Sequence, residues 1–538
     1  MKKLLLGVAV STALFGGAAH AAIDVDSNGI PVINAATTYE IFLSGSSAAG
    51  PFIDSLLTSS KVPAANRICD ASQLIYKYSD TATVGKDQKA YLCVLNTANP
   101  ALKGLAGNKA NLLVYKRDNG GSAQGVSPVV ADAAIDFLKV DDAANCTKVG
   151  DGVAGTSFTK INCNYTAGNV ALSNPRKPDF GISDVDPIQF QGDNTPSGFA
   201  PITAADLAKL TVKAAASQVF GISVTTKLRN AMQEAQFGKT HACVTKDASR
   251  ETAACMPSLT SAQIASIFTG KLNSWTQLKL GFVGGKQLDL FSNASIANKA
   301  ASDRLHICRR TSGSGTQAQL GIKFMGYPCN SVSKQAAIDT GALPESIAKA
   351  QIHAMSSAGA MSECLSELNS GSNTVGTSFN NIYNSGIGGR WAIGIQGTEQ
   401  NAGLTSDWRF IKVDGVEPTL DKVVRGQYKD WVELTYQYNN AHAFDTSEKA
   451  IVDEFIKESG NPVVMGATNL AAVHQWGQSG FLATPQSFAA PTSGIIGLDK
   501  PVNPFSHGTT EAGALGSTNN CRMPTIYNPG ATGGILYN

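Results

Sequence analysis

The sequence predicts an α/β fold built as two domains, on three observations. A short apolar run, a loop of small residues and a segment of helical spacing follow one another repeatedly along the chain. That recurrence is the pattern of a sheet with at least partly parallel strands and helices packed on it. At 538 residues the chain exceeds one ordinary hydrophobic core, so two domains are expected, with room for insertions. Ten cysteines, an even count, point to disulfides in an exported protein.

Taken in order, residues 1–21 (MKKLLLGVAVSTALFGGAAHA) combine two lysines, an apolar stretch and a small-x-small end. They read as a secretory signal peptide. No cysteine follows the cleavage point, and no later segment reaches ~18 apolar residues. The expected product is periplasmic or secreted, with no lipid anchor and no membrane insertion. Asp24, Asp26, Asn28 and Gly29 begin like a calcium loop, but Ala35 stands where the bidentate acid is needed, so a solvated turn is expected.

The first strand–loop–helix unit is a strand at 39–43, a loop from Ser44 to Phe52 and a helix at 53–57. The second is a strand at 111–115, a loop at 116–123 and a helix over 126–138, whose apolar residues recur at helical spacing. The loop at 179–187 presents Ser183, Asp184 and Asp186 after a short strand. The fourth unit is a strand at 305–308, a loop at 309–316 with Arg309 and Arg310, and a helix at 317–325. Between and beyond them lie a buried strand at 219–224 followed by a helix, and a helix at 260–268 capped by Ser258 or Thr260. Trp275 reads as core. A strand and turn follow at 390–401. The stretch 408–431 gives a strand, an Asp414-Gly415 turn and a short helix, and the amphipathic helix at 447–459 ends at Gly460. From 471 to 538 the chain is rich in Gly, Ser, Thr and Pro and reads as an irregular tail tied down by Cys521. Segments 58–110 and 139–175 carry four of the cysteines and read as insertions. Close spacing suggests the pairs 69–93, 146–163, 243–255 and 308–329, leaving 364–521.

Lys and Arg total 43 against 41 Asp and Glu. Near-neutrality argues against broad nucleic-acid binding, so any anion is held by local geometry. Three loops rich in Ser and Gly precede helices, whose first N–H groups are unpaired and partly positive. Converging on one point, they suit a tetrahedral oxyanion. Arg310 adds a permanent charge with fork geometry. Asp184 only accepts hydrogen bonds, so it favours an anion that still carries a proton, such as hydrogen phosphate, over sulfate. The loop at 116–123 also carries Lys116 and Arg117, which read as surface charges. No CxxC occurs and histidines are scattered, which argues against zinc. The nearest approach to a hydrolase elbow, residues 120–124, ends in Gln124. No cofactor is expected.

Five of these pieces, in this order, resemble the periplasmic phosphate-binding proteins of phosphate ABC importers, within the type II periplasmic binding proteins. Arg310-Thr311-Ser312-Gly313-Ser314-Gly315-Thr316 is similar to that family's Arg-x-acidic-Gly-Ser-Gly-Thr loop, with Ser312 in place of the acid. Gly181-Ile182-Ser183-Asp184 resembles its Gly-Ala-Ser-Asp loop, Ser44 to Ala49 its first small-residue loop, and Gly120-Gly121-Ser122 its second. SAQIASIFTGKLNSW is similar to its second-lobe helix and Gly-Lys-x-x-x-Trp segment. The resemblance implies a two-lobed fold with a ligand cleft: lobe one at 38–215 with 405–470, lobe two at 216–404, plus disulfide-bearing insertions. It implies ligand contacts from Ser46, Ser47, Ala48, Ser122, Asp184, Arg310, Ser314, Gly315 and Thr316, with inorganic phosphate or a similar oxyanion as ligand. Delivery to an ABC importer is implied by resemblance only. Two alternatives stay open: a secreted binding or scaffold protein whose anion site has lapsed or altered, and a phosphoester hydrolase.

Overall fold

The structure, a computed structural model, describes residues 23–81, 87–283, 286–293, 296–330, 336–337, 349–372, 388–485, 498–508, 518–527 and 535–536. The expected signal peptide lies outside the described residues.

One large mixed sheet organises the α/β fold. At its centre Thr38–Gly45 runs parallel to Asn111–Arg117 on one side and to Phe180–Ser183 on the other. Ser44 lies opposite Arg117, and Gly45 opposite Ile182. All three strands therefore end at the same edge, and their following loops leave together. In open α/β sheets the carboxyl ends of parallel strands are where ligand crevices form. A second parallel group, Gln351–Met355, His306–Arg310 and Ala392–Gly397, does the same on the far side.

The two groups are joined by Leu210–Thr225, a strand of 16 residues. Its first half pairs antiparallel with Trp431–Asn439 up to Val219–Trp431. Its second half pairs antiparallel with Ala392–Gly397 from Phe220 onward. Apolar side chains divide accordingly. One cluster gathers Ile41, Leu43, Phe52, Leu56, Leu112, Val114, Ile182, Leu434, Phe455 and Met465. Another gathers Phe220, Ile222, Val224, Leu228, Ile264, Trp275, Ile307, Leu320, Trp391 and Val423.

Segments 58–110 and 139–175 extend the sheet outward through Gln88–Val94, Tyr76–Asp80, Thr159–Cys163 and finally the edge strand Cys146–Gly150. Cys69–Cys93 and Cys146–Cys163 cross-link them. Cys243–Cys255 forms as well. The last two expected pairs do not. Cys308 bonds Cys364, and Cys329 bonds Cys521. The strand His306–Arg310 packs against the helix Ala358–Ser370, so Cys308 meets Cys364 inside a shared apolar cluster. The chain after Arg310 instead turns into a helix that carries Cys329 away, to where the tail passes.

Three local expectations are also corrected. The helix over 126–138 stops at Ala131, because Asp132 adopts the left-handed conformation (φ 47°). The chain then forms a strand, Ile135–Leu138, paired with Ser173–Arg176. Arg309 and Arg310 belong to the end of a strand rather than to a loop, and the helix begins at Gly315, two residues before the expected start. The tail holds short strands, Val473–His474, Phe481–Ala483 and Phe505–Ser506 among them, and it inserts polar groups into the interior. Asn503 Nδ2 donates to Ser217 Oγ at 3.2 Å, and the Asn520 N–H donates to Asp186 Oδ2 at 2.7 Å. The turn at Asp24–Gly29 is tied by Asp26 Oδ1, which accepts the N–H groups of Asn28 and Ile30.

Candidate oxyanion site

The first loop begins where strand Thr38–Gly45 ends. Gly45 sits at φ 116°, and a Cβ there would stand 1.9 Å from the Ile182 carbonyl oxygen. On Gly181 a Cβ would stand 1.8 Å from the Gly125 oxygen. Only glycine allows the three backbones to approach this closely. That contact brings the loops after Gly45, Arg117 and Ser183 onto one point.

Asp184 is at the centre, 2% exposed. Its Oδ1 accepts the Ser46 hydroxyl, and its Oδ2 accepts Thr316 Oγ1 at 3.2 Å. The Asp184 N–H donates to Ser122 Oγ at 3.1 Å. A Cβ on Gly315 would meet Ser122 Oγ at 2.4 Å and Asp184 Cβ at 2.6 Å. The helix start after the arginine strand is thus pressed against the other two loops.

Arg310, also 2% exposed, lies across the same cluster. Its Nε donates to the Met355 oxygen at 3.1 Å, and its Nη2 to the Ser356 oxygen at 2.8 Å and to Ser47 Oγ at 3.4 Å. Two carbonyls therefore fix the fork, which answers the acid missing at Ser312. The other expected residues take supporting positions. The Ala48 N–H donates to Ser46 Oγ at 3.0 Å. Ser314 caps the helix Gly315–Leu320 by accepting the Gln317 N–H at 3.4 Å. The Ala123 N–H donates to the Gly313 oxygen at 2.8 Å, and a Cβ on Gly121 would lie 3.0 Å from Ser314 Cα. All nine expected residues fall in or beside one cluster assembled from four chain segments. Trp275 is fully buried core, its Nε1 donating to the Trp391 oxygen at 3.2 Å.

Lys116 corrects the expectation of a surface charge, because its side chain is 1% exposed. Its Nζ donates to the oxygens of Gly45 and Ser46, each at 3.0 Å, and to Asp118 Oδ1. It ties the first loop to the second from below. Asp118 takes Lys89 on its other oxygen. Arg117 is partly buried and donates to the Asp136 oxygen at 2.7 Å. Sequence offered one signal for Lys116: it directly follows an uninterrupted apolar strand, which is buried on both faces. Lys89 and Asp87 come from an insertion and offered none.

The charges balance one another. Burial lowers the Arg310 pKa, opposed by Asp184, Asp87 and Asp118. Burial raises that of Asp184, opposed by the Ser46 hydroxyl, Arg310, Thr316 and Lys116. Asp87 is pushed up to about 6 by burial and by Asp118 and Asp80. Glu399 rises to about 7 through burial, with Asp184 adding to the shift. The arrangement gathers a fixed guanidinium, the Ser46 and Thr316 hydroxyls bonded to Asp184, first-turn amides and one carboxylate whose protonated form burial favours. It suits a partly protonated oxyanion. Among the described residues no group of three or more His, Cys, Asp or Glu is placed to hold a metal ion. No described helix is long and apolar enough to cross a membrane.

No family model and no curated protein matches the chain. Among solved structures, it is similar to a putative phosphate ABC transporter substrate-binding protein with bound phosphate from Clostridium perfringens, at 14% identity and TM-score 0.36, over 80% of this chain and 98% of that one. It is similar to an ABC-type phosphate transport receptor from Vibrio cholerae, at 11% identity and TM-score 0.33, over 78% and 94%. It is similar also to a possible phosphate binding protein from Planctomyces limnophilus, at 12% identity and TM-score 0.29, over 78% and 87%.

Proposed function

We propose that the chain is an extracytoplasmic solute-binding protein that captures phosphate or a related tetrahedral oxyanion. In this reading lobe one comprises 38–215 with 405–470 and lobe two 216–404, and they hinge along Leu210–Thr225. The anion sits between Arg310, Gly315 and Thr316 of one lobe and Ser46, Ser47, Ala48, Ser122 and Asp184 of the other. The observation that carries the reading is the meeting of buried Arg310 with buried Asp184 among Ser46, Ser122 and Thr316. Export by residues 1–21 and delivery to an ABC importer complete the proposal.

Titration calorimetry on ligand-stripped protein tests it, comparing phosphate, sulfate and small carboxylates at constant ionic strength. Phosphate binds in preference to sulfate. Arg310→Ala weakens phosphate by about 100-fold or more, the scale of a buried charged donor. Asp184→Asn removes the discrimination against sulfate. Heat for none of these ions rejects the proposal.

One observation favours the second reading, a scaffold with an altered site. The Ser46 and Thr316 hydroxyls and the Ala123 N–H all bond protein acceptors. The calorimetric result for phosphate separates the two. Turnover of a chromogenic phosphoester, lost on substituting Ser46, would support the hydrolase alternative instead.

A further inference from the structure

A second cluster lies apart from the arginine loop, where the tail crosses the sheet. Lys323 belongs to the π-helical turn Gly321–Met325 that continues the helix from Leu320. Such widened turns within helices are frequent at functional sites. Lys323 Nζ stands 2.8 Å from Nε2 of His507. On the other side of the ring, His507 Nδ1 stands 2.6 Å from Glu433 Oε2. Glu433 Oε1 also accepts the His507 N–H at 2.8 Å and the Ser506 hydroxyl at 3.1 Å. Asn520 Nδ2 reaches Glu433 Oε2 at 3.3 Å. Both His507 and Glu433 are 0% exposed. A carboxylate at Nδ1 places the ring proton there, so Nε2 turns its lone pair toward the lysine. Carboxylate, imidazole and amine stand in line, the arrangement that activates a nucleophile, here with nitrogen as the reacting atom.

Lys323 is among the residues lining a cavity of about 360 Å³, whose wall is both apolar, through Phe324, Val413, Val416 and Tyr428, and polar, through Ser261, Asp414, Gln427 and Lys429. Asp430 lines the same cavity. It is 4% exposed, its Oδ1 accepts Gln319 Nε2, and its Oδ2 has no hydrogen-bond partner. A buried carboxyl oxygen left unmatched calls for a partner from within the cavity.

We propose that Lys323 is a nucleophilic amine that condenses reversibly with a small aldehyde admitted to this cavity. The ammonium proton passes to His507, whose charge Glu433 stabilises. The nitrogen lone pair forms the C–N bond while the carbonyl π pair moves to oxygen, which takes the proton back from His507. The nitrogen returns its extra proton to His507, and Asp430 protonates the carbinolamine hydroxyl so that it leaves as water. The nitrogen lone pair closes the C=N bond to a protonated imine, and the proton on His507 restores Asp430. Hydrolysis reverses the sequence, and neither oxidant nor reductant is consumed. The resting states of Lys323 and Asp430 agree with this assignment, and His507, whose pKa is lowered, holds the transferred proton only in passing. Burial lowers Lys323 to about 8, against the pull of Glu433 and Asp430. Burial raises Asp430 to about 7, opposed by Lys323 and Gln319. Burial and Lys323 lower His507, opposed by Glu433. The amine and its acid thus coexist near neutrality.

The experiment treats the full folded chain with propanal and cyanoborohydride, which fixes any imine, and maps propylation at every lysine by peptide mass spectrometry. In the wild-type digest Lys323 reacts at least about tenfold faster than the median lysine near pH 7, and its rate rises as pH passes through about 8. His507→Ala and Glu433→Gln slow Lys323 alone by about tenfold, while Asp430→Asn lowers its yield and Arg310→Ala leaves it unchanged. Reaction of Lys323 at or below the median in the wild-type digest overturns the proposal, and that comparison needs no variant to fold. Fast labelling that persists in folded His507→Ala overturns the relay. A null result here leaves the oxyanion calorimetry untouched.

Discussion

At the scale of single residues, burial decides which charges matter. Lys116 is enclosed by the carbonyls of Gly45, Ser46 and Arg117 and by Asp118. Lys116→Met keeps most of the unbranched side chain but leaves Asp118 with Lys89 as its remaining cationic partner. Removing one member of a buried pair costs about 3–5 kcal/mol, so urea unfolding should show a loss of that order, accompanied by weaker phosphate binding. His442 carries a different signature. Its Nε2 stands 3.1 Å from Asp179 Oδ1 and its Nδ1 3.5 Å from Asp132 Oδ1. The hydrogen bond to Asp179 raises its pKa first, against burial, with Asp132 adding to the rise. A group raised on folding stabilises fully below its unfolded value, about 6.5, and that stabilisation disappears as pH climbs through the higher folded value. The melting-temperature gap between wild type and His442→Ala should therefore be widest near pH 5 and close at alkaline pH; a gap that widens with pH would contradict this. Arg310 and Asp184 were legible in the sequence because each marks the end of a short strand, Arg310 as its last residue and Asp184 just beyond it, beside Ser and Gly residues. Lys116 was legible only in part: its place after a buried strand shows in the sequence, but whether such a lysine turns inward depends on loops from elsewhere.

At the scale of elements, the site depends on how closely backbones can approach. Gly181 faces the Gly125 carbonyl with no room for a methyl group. Forced packing typically costs about 1–3 kcal/mol, and Gly181→Ala should reach or exceed that range, because a backbone oxygen rather than a side chain blocks the way. The thermal midpoint of that variant and its phosphate heat are the measurements; a variant as stable as wild type with intact binding would refute the packing account. The strand–loop–helix units themselves could be read from period and punctuation. The segment from Val126 onward could not. Its apolar spacing fits a helix, but Asp132 turns left-handed and is held there by Lys177 and His442, so the apolar Phe137 and Leu138 reach a third cluster as a strand. Tertiary contact overrode local pattern. Cys308 shows the same effect: nearness along the chain suggested Cys329, yet the helix Ala358–Ser370 is nearer in space.

At the scale of the whole molecule, the sheet and its covalent ties set the stability. The α/β class followed from repetition of one motif, whereas the extension of the sheet by the two cysteine-bearing segments carried no comparable sequence pattern. Cys329–Cys521 closes a loop of 192 residues. Loss of such a bond typically removes about 2–5 kcal/mol, so Cys521→Ser should unfold at a correspondingly lower urea concentration than wild type, with the other four disulfides intact by mass mapping. An unchanged midpoint would mean that polar contacts alone anchor the tail.

Those contacts lead back to the oxyanion loop. Asn520 grips Asp186 from both ends, its N–H on the carboxylate and its Oδ1 on the Asp186 N–H at 2.8 Å. Asp186 is only two residues beyond Asp184. A nick ahead of Asn520 would still leave the final stretch tethered through Cys329–Cys521, so cleavage would loosen the grip on Asp186, and with it the proposed anion site, only where that bond was reduced as well.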